Sequence, residues 1–387
     1  MRNNLKTVTP LLHFALCIFL IIFLSACGEA IYSSSETGSI AFSLELQGSP
    51  NEISGFSQAI DCADSGVSTV EAKVYDEDGA LIANGGPWDC IVHSGTITSV
   101  PPGSNRKVVI LGKDASGSVL YSGALAGITV TAGQTTPAGE IIISVQDQVW
   151  HISDDFPSDF FIPEKGGLGY RITSMAYGGG MWAVVMSLDT GYTDQWWATN
   201  LEFLVIEEFI IDKWGEGYRI TDLAYGVNFG ENVWAVVVSP GTGYTDQVWH
   251  RSVDFPIDYI SEQWALGFEI TSLAYGEGMW AVVMSTETGY MQAWATRLDF
   301  PTDYINEQWA LDKRITSLTY GVHTGENVWA VVLSTETGYT DQMWATRIDF
   351  SAAEDFIYHK WDEGYRITGL AYGVKSGENV WAAVISK

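Results

Sequence analysis

The chain has 387 residues, 47% of them apolar and 17% charged, which is enough apolar material for two globular domains and too much for a disordered chain. Its 19 basic residues stand against 47 acidic ones, a net charge of -28. That sign repels nucleic-acid phosphates and anionic headgroups and excludes charge-driven binding to either.

Residues 1–26 read as a targeting segment. Arg2 and Lys6 precede an apolar run from Leu11 to Leu24, followed by Leu24-Ser25-Ala26-Cys27. The run is shorter than the ~20 residues of a spanning helix and has the layout of a secretory signal. Leu-Ser-Ala-Cys resembles the lipobox of bacterial lipoproteins. The resemblance implies that Cys27 becomes the lipid-bearing first residue, and that Gly28, in place of an Asp, directs the chain to the outer membrane. Residues 27–37 are small and polar, a tether. Cys62 and Cys90 remain, and an even pair in an exported chain predicts a disulfide.

Residues 38–145 alternate apolar and polar residues in short runs. Ile40, Phe42, Leu44 and Leu46 share one face of a strand, and Asp78-Gly79 marks a hairpin turn between two more. Seven or eight strands without helical periodicity predict a small β-sandwich. The stretch "VPPGSNRKVVILGKDASG" resembles Ig-like or transthyretin-like modules of surface lipoproteins.

From residue 146 to 387 the sequence repeats, with Trp150, Trp197, Trp249, Trp294 and Trp344 as equivalent positions. Each unit runs through "DQVWATRIDFP", "DYINEQWALGY", "YRITSLAYG", "NVWAVVMS" and "TGYTDQ". The third and fourth pieces are strands, the fourth covered on both faces. The second is a short helix or an outer strand, with the helix preferred. Five units predict a five-bladed β-propeller-like ring. The fragment at 146–156 is expected to close it by pairing inside the last sheet, beside "NVWAAVISK".

Within the repeat, "YRIT" or "KRIT" supplies Arg171, Arg219, Arg314 and Arg366, and "TDQ" supplies Asp194, Asp246 and Asp341, with Asp147 serving the last unit. The third unit lacks both, carrying Glu269 and "TGYMQ". Their joint departure predicts Arg–Asp pairs. The repeated Asp and Gln also form a weaker candidate for holding a cation or polar ligand. Four Trp (Trp214, Trp264, Trp309, Trp361) recur at the Ile-x-x-x-Trp position of the repeat, where the first unit has Gly166. The loops joining the two central strands vary in length and place Phe229, His323 and Lys375 as candidate contacts; Trp196 is a further candidate. No metal, cofactor or catalytic motif is present in the sequence.

The motifs "KWDEGYRITGLAYG", "VWAAVIS" and "GYTDQVW" resemble the repeated domain of unknown function found C-terminally in plant casein-kinase-I-like proteins. That resemblance implies no reaction. The expectation is an exported, lipid-anchored, non-catalytic binding or scaffold module for a protein or envelope partner. The alternatives are a carbohydrate-binding surface, or a hydrolase with acids in the ring channel.

Overall fold

The computed structural model describes residues 36–48 and 59–387, so the targeting segment, Cys27 and most of the tether lie outside the described residues. Two β-rich regions follow one another.

The first is built of β1 (Gly38–Gln47), β2 (Ala59–Ile60), β3 (Thr69–Tyr75), β4 (Leu81–Asp89), β5 (Ser94–Val100), β6 (Gly103–Lys113), β7 (Val119–Val130) and β8 (Thr135–Val145), with a one-turn helix α1 (Cys62–Ser65). A two-sheet sandwich was expected, but the strands form one hydrogen-bonded sheet. Its path is β5-β1-β8-β7-β6-β3-β4, with β2 on the far end of β1. The two end strands, β4 and β5, lie against each other without a ladder, so the sheet rolls nearly closed. β1 and β8 run parallel and the other neighbours antiparallel. Alternation decides the core: Ile40, Phe42, Leu44 and Leu46 all point into the roll and are at most 5% exposed. Asp76 accepts from the Asp78 and Ala80 amides and shapes the β3–β4 turn, whose Gly79 has φ 82°. Cys62 and Cys90 are joined by a disulfide, tying α1 to the segment after β4.

The second region contains five three-stranded antiparallel sheets, each continuous in sequence. They are β9 (Gln148–Ser153), β10 (Arg171–Gly178) and β11 (Met181–Ser187); β12 (Trp196–Asn200), β13 (Arg219–Asn228) and β14 (Glu231–Ser239); β15 (Gln247–Ser252), β16 (Glu269–Gly276) and β17 (Met279–Ser285); β18 (Gln292–Arg297), β19 (Arg314–His323) and β20 (Glu326–Ser334); and β21 (Gln342–Arg347), β22 (Arg366–Lys375) and β23 (Glu378–Ser386). In each sheet the third strand lies in the middle, flanked by the first outside and the second inside. The ambiguous repeat segment is a helix every time: α2 (Phe161–Gly167), α3 (Phe203–Gly215), α4 (Ile257–Ala265), α5 (Thr302–Trp309) and α6 (Phe350–Trp361). The inner strands touch in cyclic order, β10 on β13, β13 on β16, β16 on β19, β19 on β22, and β22 back on β10.

The middle strands are buried on both faces, as their unbroken apolar runs require; Trp182, Trp234, Trp280, Trp329 and Trp381 are at most 1% exposed. The glycine of each "YG" pair lets the sheets approach. A Cβ on Gly276 would stand 2.2 Å from Tyr225 of the preceding sheet, and one on Gly178 would meet Tyr372 of the last sheet at 2.0 Å.

The closure differs from the expected one. β9 does not pair with the last sheet: it pairs with β11, Gln148 opposite Ser187, and β23 is flanked by β21 and β22 of its own unit. All five sheets are therefore complete without a borrowed strand, and the last sheet meets the first through side chains.

Candidate functional site: the joints of the ring and the slot at Gly166

The joints are made by the repeated Gln, expected from the sequence only as a weaker candidate for holding a cation or polar ligand. Gln247, wholly buried at the start of β15, reaches back to the preceding sheet. Its Oε1 accepts from Ile220 N–H (2.8 Å), and its Nε2 donates to Ile220 C=O (2.9 Å) and to Ser285 Oγ (2.9 Å) in its own sheet. The side-chain amide thus acts as one peptide unit of a strand. Thr271, the extra residue of a bulge in β16, bonds the same Ser285 hydroxyl. Gln195 clasps Ile172, Gln292 clasps Ile270, and Gln342 clasps Ile315 in the same way. Gln148 of the first sheet clasps Ile367 of the last, at 2.7 and 2.9 Å. That bond pair closes the circle. The signal was in the sequence: the Gln persists in "TGYMQ", where the Asp before it is gone.

The Arg–Asp expectation divides. Arg366 Nε forms an ion pair with Asp147 across the joint between last and first sheets. Among the described residues no ion pair joins Arg171 to Asp194, Arg219 to Asp246, or Arg314 to Asp341. Tyr218 O–H donates to Asp194 (2.6 Å) and Tyr365 O–H to Asp341, holding both carboxyls below their ordinary value. Asp246 caps the Gln247 amide, and Arg314 lies 3.2 Å from Asp312. The arginines instead bind backbone ahead of their strands: Arg219 donates to Tyr218 C=O and Arg314 to Lys313 C=O, while Arg366 donates to Trp361 C=O at the helix end and lies over that indole at 4.5 Å, and Arg219 lies over Trp214 at 5.4 Å. At Arg366 a planar guanidinium caps the carbonyl and stacks on the ring at once.

The variable loops are pinned rather than free. The Phe229 amide is held by Asp155, and Asp299 accepts from Ser376 N–H. His323 Nδ1 accepts from Phe255 N–H, and Lys375 lies 5.4 Å from the Phe300 and Trp344 rings, so both turn inward. Phe229 alone of the three stands out, 70% exposed.

The inner strands surround an axial cavity of about 150 Å³ lined by Thr, Ser and Tyr. Asp222 is the one carboxylate of that lining. It accepts from the Met175 and Leu223 amides, and burial pushes its pKa up to about 7. A glycosidase needs two carboxyls across the scissile bond, and this lining holds only Asp222. The repeated Gln side chains are occupied by the joints, so they offer no donor set for a cation.

A larger opening, about 570 Å³, lies between the first two sheets. It exists because of Gly166. In three of the other sheets the helix-terminal Trp fills this place against the strand Trp of the next sheet: Trp214 on Trp249 at 4.9 Å, Trp361 on Trp150 at 5.0 Å, Trp264 on Trp294 at 6.5 Å. Gly166 leaves Trp197 without that partner. A Cβ at Gly166 would meet nothing within 4 Å. Arg171 keeps its repeat geometry, donating to Gly166 C=O (3.1 Å), but has no indole beneath it. Trp196, 48% exposed, stands at the rim beside Asp194. Its equivalents are Val149, Val248, Ala293 and Met343. Sequence alone showed the missing Trp; it could not show that the space stays open.

The fold and these sites define a β-rich repeat protein held together by side-chain clasps. A family model described as Domain of unknown function (DUF7477) matches residues 119–230 and again 223–385. The chain belongs to that family, whose description assigns no reaction. No curated protein matches the chain.

Proposed function

We propose that the repeat region is a five-bladed β-propeller serving as a non-catalytic binding or scaffold module in an exported protein anchored to the cell envelope through lipid on Cys27. The observation that carries the binding reading is the opening at Gly166. Ligand sites are concave, mostly apolar and few, and here repeat symmetry is broken so as to leave aromatic walls uncovered.

The test is photo-crosslinking in cells from position 196 of the full chain, with Met291 and Leu266, also exposed, as controls on other sheets. A discrete adduct from position 196 that the controls do not give supports the reading; equal labelling from all three removes it. A carbohydrate partner is the second reading, favoured by an exposed indole beside the Asp194 carboxylate, and a glycan array on the released chain separates the two. Lipidation predicts palmitate labelling that is lost in Cys27→Ala.

A further inference from the structure

We infer that the slot at Gly166 is a binding site for a planar aromatic ring of indole size. The inference rests on the binding reading above and names its ligand chemistry. The protein's own repeats display the occupied form of the same site. In the second and last sheets an indole lies under the equivalent arginine, and in the second, third and last against the strand Trp of the following sheet.

At the first joint every wall of that arrangement is present. The helix end has the same backbone turn: Tyr170 N–H donates to Lys165 C=O at 3.1 Å, as Tyr218 N–H does to Lys213 C=O at 3.1 Å. Arg171 is bound to the helix carbonyl as Arg366 is. Trp197 occupies the strand position. The missing part is the ring itself.

Two further features keep the slot from collapsing or filling. Lys165, next to Gly166, is 1% exposed and ion-paired to Asp114 of the first region (2.9 Å) and to Glu164 (2.7 Å), which fixes the helix end from outside. Trp196 could have swung in, but its indole N–H is directed to Tyr218 O–H (3.3 Å) and Lys213 lies 4.5 Å from its ring. Both contacts belong to its own sheet and hold it at the rim. A guanidinium above a slot prefers an electron-rich face, and indole is the best of the natural rings. The ring could belong to a free small molecule or to a Trp side chain on a polypeptide; the chemistry is shared.

The experiment uses the full mature chain and fluorine NMR of N-acetyl-5-fluorotryptophanamide, with a fluorinated Gly-Ser-Trp-Ser-Gly peptide as a second arm and N-acetylleucinamide as competitor. Saturable binding is expected with a Kd of about 1 mM or tighter, normal for a fragment of this size, with no displacement by the leucine compound. Tighter binding of the peptide assigns the ring to a polypeptide, and tighter binding of the free amide assigns it to a small molecule.

Gly166→Trp refills the slot from within; it should abolish binding and raise the Tm. Arg171→Met, which keeps the slot empty, should weaken binding about tenfold and serves if the first variant folds poorly. Unchanged affinity in both variants, or equal competition by the leucine compound, overturns the inference. A specific crosslink from position 196 without aromatic binding would leave the binding reading standing and sink only this one.

Discussion

Replacing Gln247 by Ala tests how the sheets are joined. The side chain is wholly buried and satisfies both the N–H and the C=O of Ile220. Ala leaves both groups in a space too enclosed for free hydration. An orphaned buried donor or acceptor costs roughly 1–3 kcal/mol, so two predict a loss of about 2–6 kcal/mol. Ser285 keeps its bond to Thr271 and adds little. Gln195 and Gln292 make the same bonds but are half-buried; water can replace their amides, and Ala there should cost about 1 kcal/mol. Urea unfolding of the three variants reads the ranking. Amide exchange at Ile220 reads the local effect, with protection lost in Gln247→Ala before any global change. A loss below about 1 kcal/mol at Gln247, with Ile220 still protected, would refute the claim that these amides carry the joints.

Gly276→Ala drives a methyl group into the Tyr225 ring and should destabilise by about 1–3 kcal/mol or more; a Tm equal to wild type would mean that the sheets can part freely. Asp222 has a folded pKa of about 7 against an ordinary 3.8. The unfolded chain releases that proton first, so stability should fall as pH rises from about 4 to about 7, by no more than about 4 kcal/mol. Asp222→Ser, the residue found at this position in three other sheets, should flatten that slope, and a slope unchanged in denaturation curves at pH 4, 6 and 8 rejects the assignment. A double-mutant cycle on Arg366 and Asp147, whose carboxylate is 54% exposed, should give a coupling below about 1 kcal/mol, while Arg219 and Asp246 should show none. Reduction of Cys62–Cys90, which spans 28 residues, should lower the stability of the first region by about 3–4 kcal/mol, read as a shifted urea midpoint with and without reductant.

Local pattern was legible in the sequence wherever one residue's environment decides it. Ile40 to Leu46 alternate into the roll, the "VWAVV" runs are buried on both faces, and Pro301 precedes a helix rather than a strand. Phase was not legible. A cyclic repeat can be cut at any point, and the strand at Gln148 offers the same edge to the last sheet or to its own. The connection through α2 decides for its own sheet. The Arg and Asp departing together in the third unit looked like a pair, yet only Arg366 and Asp147 meet; elsewhere the arginine answers to backbone carbonyls before its strand and the aspartate to a tyrosine or its own backbone. The rolled single sheet was missed because alternation fixes which face is buried, not which strands are neighbours.

The joint between last and first sheets differs from the other four in what stands across it. The first region grips α6 through Lys73 with Asp355 and its C-terminal cap through Lys107 with Asp362, and α2 through Asp114 with Lys165. It therefore works as a bracket over the seam, not as a stalk beside the ring. Tension entering from the N-terminal side would be shared among these ties before reaching Gln148, so the place where the hoop could most easily spring open is the place most firmly braced against pulling.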